Sequence, residues 1–409
     1  MRGVIRGPRT ILALLTALNL LNYLDRFVLS AVLGRVQDDL HLSNFVGGSL
    51  ATVFLIGYFA TSPIFGSMAD RAGMGGRKVL LAVGIAIWSL ATIGSGLAVG
   101  TGSLVVARAF VGIGEASYAT IAPTLIDEIA PPERKGRWLA IFYTAMPVGG
   151  ALGYLVGGAV EAATHDWRMA FFVAGGPGLV MSLLCLAIVE PERRAPSARP
   201  SVLASARELW AIAPYRNVVL GYCAYTFAMG GFAYWAPKYL TARYGMENGK
   251  ASMAFGAVTV VSGALGTLVG GWLGDRWTRG RSDDPAVTRA SLLVCALSAA
   301  LGAPLALAAI LAPQALWFFV LVLPCEAGLF LSSGPVNAAI LRSVPAGLRA
   351  SAMALSIFGI HMLGDLWSPP LIGLGADHVP MAWAMLAVPA AFALGAVIWW
   401  RGTVALRLT

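Results

Sequence analysis

Apolar runs follow one another along almost the whole chain, separated by short stretches of Arg, Asp, Gly and Pro. A helix needs about 20 mostly apolar residues to cross a bilayer. Twelve runs qualify: 10–33, 46–69, 78–100, 102–126, 137–160 and 168–189, then 216–241, 250–274, 288–311, 314–341, 350–374 and 380–401. No soluble core hides so many apolar helices, so lipid is their solvent. The pattern predicts an all-α integral membrane protein with twelve transmembrane helices. Between the sixth and seventh runs lies a polar segment carrying Pro191, Arg193, Arg194, Pro196, Arg199 and Pro200. It cannot cross lipid, and it divides the chain into a six-helix bundle at 1–190, a linker at 191–215 and a second six-helix bundle at 216–409.

Charge orients this picture. Only 12% of the 409 residues are charged, against 58% hydrophobic, and the net charge is +9. The basic residues sit in loops rather than along one face, which excludes nucleic acid as a partner. With twelve spans, 22 of the 29 Lys and Arg fall on the side that holds both termini and 5 on the other side. The positive-inside rule puts that richer side, and both termini, in the cytoplasm, as expected for a bacterial inner-membrane protein. The apolar run after Arg2, Arg6 and Arg9 continues through Asp25 to Leu33 without a small-residue cleavage site, so it is the first span and not a signal peptide. Cys185, Cys223, Cys295 and Cys325 each fall inside a span and show no pairing or metal-binding spacing.

The two halves repeat. Gly66-Ser-Met-Ala-Asp70-Arg71 follows the second span, and Gly270-Gly-Trp-Leu-Gly274-Asp275-Arg276 follows the eighth, with the two Asp-Arg pairs 205 residues apart. Six spans repeated in one topology, with this loop and Arg77-Lys78 after it, resemble the major facilitator superfamily. About three extra residues separate Asp70-Arg71-Ala-Gly73 from Arg77. A narrower resemblance, to the spinster branch, rests on four segments: Asn22-Tyr23-Leu24-Asp25-Arg26-Phe27, Arg108 to Thr124, Ile141 to Gly149, and His361-Met-Leu-Gly364-Asp365-Leu-Trp-Ser368-Pro369. It implies a major facilitator fold, two related bundles, and transport of amphiphilic lipids such as lysophospholipids or sphingosine phosphates. The superfamily loop implies a cytoplasmic gate at Asp70, Arg71 and Arg77, with Asp275 and Arg276 as the mirror set.

Charges inside spans mark the chemistry, because each costs several kcal/mol in lipid unless it faces the protein and has a partner. Asn19, Asn22 and Arg26 share one helix face, with Asp25 beside it. Arg108 and Glu115 are seven apart, about 10 Å along one face, with Gly112 between them leaving room for another helix or a substrate. Arg26 and Arg108 suit an anionic headgroup, since a guanidinium fork matches phosphate. Asp25 and Glu115 are the proton carriers, and a proton on either frees an arginine. Tyr23, Tyr118 and Tyr143 supply apolar contact to an acyl chain. In the second half, His361 and Asp365 are four apart and form a candidate proton relay, while Glu326 follows Pro324 on a candidate cavity wall. Each of these also has a plainer reading as a packing or ion-pair contact.

Other function classes fit less well. No G-x-x-x-x-G-K-[ST] loop drives transport with ATP. Four histidines are too few and too scattered for a metal, and no nucleophile–base set suggests an enzyme. No rings of repeated polar residues suggest a channel. The expectation is therefore a monomeric secondary transporter that needs no cofactor beyond a proton gradient, with a drug or organic-anion exporter as the alternative.

Overall fold

The computed structural model describes residues 4–73, 75–191, 202–278 and 284–406, without the side chains of residues 202–205, 274, 275, 278 and 350. The first six helices are α1 Pro8–Leu40, α2 Asn44–Arg71, α3 Gly76–Gly96, α4 Thr101–Ile129, α5 Lys135–Thr164 and α6 Trp167–Leu186. Local chemistry sets their ends. Pro8 opens α1, where its missing N–H is no loss. His41 closes α1 in the left-handed conformation, its N–H returning to the Gln37 carbonyl. The Ser43 hydroxyl caps α2 and the Asp166 carboxylate caps α6.

The linker contains the short helix α7, Val202–Ala211. Residues 192–201 of the linker lie outside the described residues. Then come α8 Ala213–Tyr244, α9 Asn248–Thr278 and α10 Asp284–Ile310. The tenth span is split at Ser332 into α11 Ala315–Leu331 and α12 Ser333–Arg342, because Pro335 has no N–H for the Leu331 carbonyl.

The eleventh span is interrupted too: α13 Arg349–Ile360, a π turn at His361–Asp365, and α14 Ser368–Ala376. Pro369 and Pro370 strip donors from that region, and the Leu366 N–H reaches back to the His361 carbonyl at 3.1 Å. The short α15 Met381–Ala384 precedes α16 Ala387–Ala405. Ten segments among the described residues are long and apolar enough to cross a membrane. The other two of the twelve spans are α8, diluted by polar and aromatic residues, and the interrupted eleventh. Large side chains such as Leu183, Leu268, Leu301 and Leu316 are exposed along the helices, as a lipid solvent requires.

The chain forms two compact units. The first contains α1 to α6 together with residues Gly245–Ala257, the start of α9. There the Asn248 amide and the Ser252 hydroxyl both donate to the Ala31 carbonyl, at 3.0 and 2.6 Å. The second unit contains α7, α8 and the chain from Val258 onward. Within the first unit, α1 packs along α5, α2 along α4, and α3 along both α4 and α6. The second unit repeats the order: α8 packs on the π turn with α13 and α14, and α10 packs on α11, α12 and α16. Glycines set the closest approaches. A methyl group at Gly112 would overlap the Phe54 carbonyl, and one at Gly149 the Leu20 carbonyl. Gly149, Gly150, Gly153 and Gly157 of α5 all face α1, which explains those four.

Each unit also carries an ion cluster at the start of its third long helix, with opposite sign. In the first unit Arg77 is paired with Glu128 at 2.9 Å and Glu190 at 3.5 Å. Glu190 also accepts the Lys78 and Gly75 backbone N–H groups. In the second unit the central charge is Asp284, held by Arg342 at 2.8 Å and Arg349 at 2.9 Å.

Candidate functional site

Four ionisable side chains meet in the first unit. Asp25 and Arg26 come from α1, Arg108 and Glu115 from α4, and all but Arg26 are almost fully buried. Adjacent residues on a helix point about 100° apart, so Asp25 and Arg26 part company. Asp25 turns to α3, where its Oδ2 accepts the Thr92 hydroxyl. Arg26 turns to α4, where its Nη2 donates to Glu115 Oε2 at 2.6 Å. The Arg26 side chain keeps 21% of its surface open while Glu115 keeps none, so the pair reaches the surface of the unit through its cation.

Aromatic rings complete the surroundings of Arg26. Its guanidinium carbon lies 4.8 Å from the Tyr23 ring, 4.8 Å from the Phe54 ring and 5.7 Å from the Tyr58 ring. Arg108 lies over the same Phe54 ring at 5.2 Å. Its Nε and Nη1 are buried with no hydrogen-bond acceptor among the described residues. Asp25 is within electrostatic reach of Glu115, Arg108 and Arg26. With both carboxylates ionised, the four charges cancel. Chemically, the arrangement offers carboxylates able to take up a proton and guanidinium groups able to pair with an anion. A proton on a carboxylate leaves a guanidinium ready for another anion.

The remaining residues singled out from sequence take varied places. Asn22 is buried beside Glu115. Tyr118 is buried against Trp88 and Phe142, and its hydroxyl donates to the Leu15 carbonyl, so it is engaged in helix packing. Tyr143 is half exposed on α5. In the second unit Glu326 is buried, with one carboxylate oxygen 3.4 Å from the Thr259 hydroxyl and the other without a hydrogen-bond partner among the described residues. His361 and Asp365 meet across the π turn, Nδ1 to the two carboxylate oxygens at 2.8 and 2.9 Å. Asp70 and Arg71 are exposed on the last turn of α2, whereas Arg77 is buried in its ion cluster. Arg276 is exposed, over the Trp272 ring at 5.5 Å. The side chain of Asp275 lies outside the described residues. All four cysteines are buried and free.

Sequence reasoning missed Phe54, Tyr58 and Thr92, and it missed the buried Glu161 that Arg35 holds at 2.9 Å. Phe54 and Tyr58 are four apart and share a helix face, but aromatic pairs at that spacing are common in apolar helices. Glu161, an acid directly after the apolar run 137–160, was the one legible signal.

The chain matches the model of the Major Facilitator Superfamily over residues 15–365. It is 34% identical to the probable sphingolipid transporter spinster homolog 2 of Arabidopsis thaliana, over 96% of this chain and 86% of that protein. It is 35% identical to protein spinster homolog 1 of Xenopus tropicalis, over 91% of this chain and 74% of that protein. Among solved structures, a bacterial homolog of the human lysosomal transporter spinster, inward-facing and occupied, superposes with a TM-score of 0.80 at 19% identity, covering 98% of this chain and 96% of the other. The transporter FucP in its outward conformation gives 0.62 at 17% identity, covering 96% and 98%. At these identities the structures show a shared fold.

Proposed function

The chain belongs to the major facilitator superfamily, among its spinster members, and from that premise we propose that it moves a single-chain amphiphilic lipid across the membrane by alternating access, coupled to protons. One observation carries the reading: a partly open guanidinium, Arg26, paired to a fully buried carboxylate and ringed by aromatic faces. A lysophospholipid or sphingosine phosphate offers a phosphate for the guanidinium fork and a hydrocarbon chain for Tyr23 and Tyr143. The names of the relatives support a lipid of this class. A proton on Glu115, with Asp25 as the second carrier, releases Arg26, so headgroup and carboxylate compete for one cation. That competition couples the two fluxes. Arg108 supplies the second positive charge, and Asn22 and Tyr118 complete the wall.

In the second unit Glu326 contributes to binding, and His361 with Asp365 relays protons. Asp70, Arg71 and Arg77, mirrored by Asp275 and Arg276, gate the cytoplasmic side. The protein acts as a monomer in a bacterial inner membrane, both termini in the cytoplasm.

The test is uptake of labelled lysophospholipid and sphingosine phosphate into proteoliposomes holding the purified chain, with and without an imposed pH gradient. We expect the gradient to accelerate uptake several-fold, and Glu115→Gln to abolish that acceleration. Lipid uptake indifferent to the gradient overturns the coupling. Uptake of a small organic anion without any lipid uptake assigns the chain to anion export instead.

A further inference from the structure

We infer that the three aromatic rings around Arg26, with Phe54 at their centre, form a second resting place for its guanidinium, one that holds the cation when Glu115 is neutral. The inference deepens the proposed coupling and rests on it only for its transport arm.

The geometry behind it is specific. Two guanidinium groups, Arg26 and Arg108, lie 4.8 and 5.2 Å from the centroid of one ring, Phe54. The face of an aromatic ring attracts a guanidinium, and here one ring is shared by two. Phe54 reaches them because Gly112 carries no side chain. A methyl group there would overlap the Phe54 carbonyl and push α2 off α4. Arg26 has Tyr23 and Tyr58 as further rings, whereas Arg108 has no ring besides Phe54 within the described contacts.

A net-neutral cluster becomes net positive when Glu115 takes a proton. Glu115 then no longer balances Arg26, whose side chain is only 21% open, and a charge so enclosed needs another partner. The rings surround the guanidinium while it is paired, but once the carboxylate is neutral they are its nearest remaining partners and it settles more closely against them, so they stabilise the protonated state of the cluster more than the ionised one. They therefore set how much acid is needed to part Arg26 from Glu115. The other charged and titratable groups facing the pair are Asp25 and Tyr23 on α1, Tyr58 on α2 and Arg108 on α4, with Tyr143 of α5 within reach of Tyr58. The hydroxyls of Tyr23 and Tyr58 make those residues ambiguous probes. Phe54 has only its ring, and it is the positioning residue to test.

Phe54→Leu keeps the apolar volume roughly and removes the ring, and Phe54→Trp keeps a ring. The first readout needs no transport: thermal unfolding of the purified full-length protein in detergent. We expect Phe54→Leu to lower the unfolding temperature markedly more in a Glu115→Gln background than in the wild type. In an Arg26→Met background the extra loss disappears, and Phe54→Trp restores most of it. Equal losses in all backgrounds overturn the inference, since a ring that only fills space gives them. The second readout is the pH at which lipid uptake is half-maximal. Removing the ring disfavours the protonated state, so the midpoint moves to lower pH, by about tenfold in proton concentration; an unmoved or more alkaline midpoint overturns the inference. Should wild-type protein carry no lipid while the unfolding cycle shows the coupling, the proposed substrate fails and the cage stands.

Discussion

The four charges in the first unit stand out in the sequence because no other charge falls within the apolar runs 10–33 and 102–126. Their pairing does not. Asp25 and Arg26 are neighbours in sequence and read as a natural pair, but successive side chains on a helix diverge, and the structure gives Asp25 to Thr92 and Arg26 to Glu115. Neutrality of the whole cluster is the controlling quantity. Arg108→Met or Asp25→Asn alone leaves an unbalanced buried charge and is expected to destabilise the protein by about 3–5 kcal/mol. Together they leave Arg26 and Glu115 balanced, so the double variant should lose less than the sum of the two. Denaturation in detergent measures all three, and strict additivity sinks the idea of one coupled cluster. Of the rings around Arg26, Tyr23 was legible beside it in α1, whereas Phe54 and Tyr58 were invisible in one dimension, since Phe54 reads as any other apolar residue of α2 until α4 lies against it.

At the scale of helices, close contact depends on which glycines face a neighbour. Gly112 of α4 abuts the α2 backbone, whereas Gly176 of α6 has nothing within 4 Å of where a methyl group would sit. Gly112→Ala is therefore expected to separate α2 from α4, lowering thermal stability and weakening the hold of Phe54 on both arginines. Gly176→Ala should be neutral or gain up to about 1 kcal/mol from helix propensity alone. A thermal shift series on the two variants decides it, and equal effects would mean that backbone contact does not set the spacing. The twelve spans were legible from length and hydropathy. The breaks at Ser332 and at His361–Asp365 were only half legible: the prolines beside them were visible, but whether a proline bends, splits or merely punctuates a helix depends on what its freed carbonyls meet.

Across the molecule, two halves share helix order and differ in chemistry. The ion clusters show the difference most simply. Arg77 holds two acids with only 8% of its side chain open, while Asp284, with 39% open, holds two arginines that are themselves partly exposed. Exposed pairs are weak and screened by salt, and buried ones much less so. Arg77→Gln should lower the unfolding temperature by a similar amount at low and at 1 M salt. Asp284→Asn should lower it mainly at low salt. Equal salt dependence for the two would contradict their assigned burial. The repeat of Asp70-Arg71 and Asp275-Arg276 was legible, but the reversed sign of these clusters was not, because their partners lie 51 to 113 residues from Arg77 and 58 and 65 residues from Asp284.

By itself, the sequence determined the solvent, the number of spans, the two-fold repeat and the identity of the charged residues. Those properties follow from composition along a line: apolar runs of bilayer length, and rare charges inside them that are too expensive to be accidental. The tertiary structure alone decided which charge meets which, which rings surround Arg26, and that the first turns of α9 pack with the first unit. Those facts depend on side-chain direction around each helix and on contacts between residues far apart in the chain, where a shift of one residue turns a side chain by about 100°.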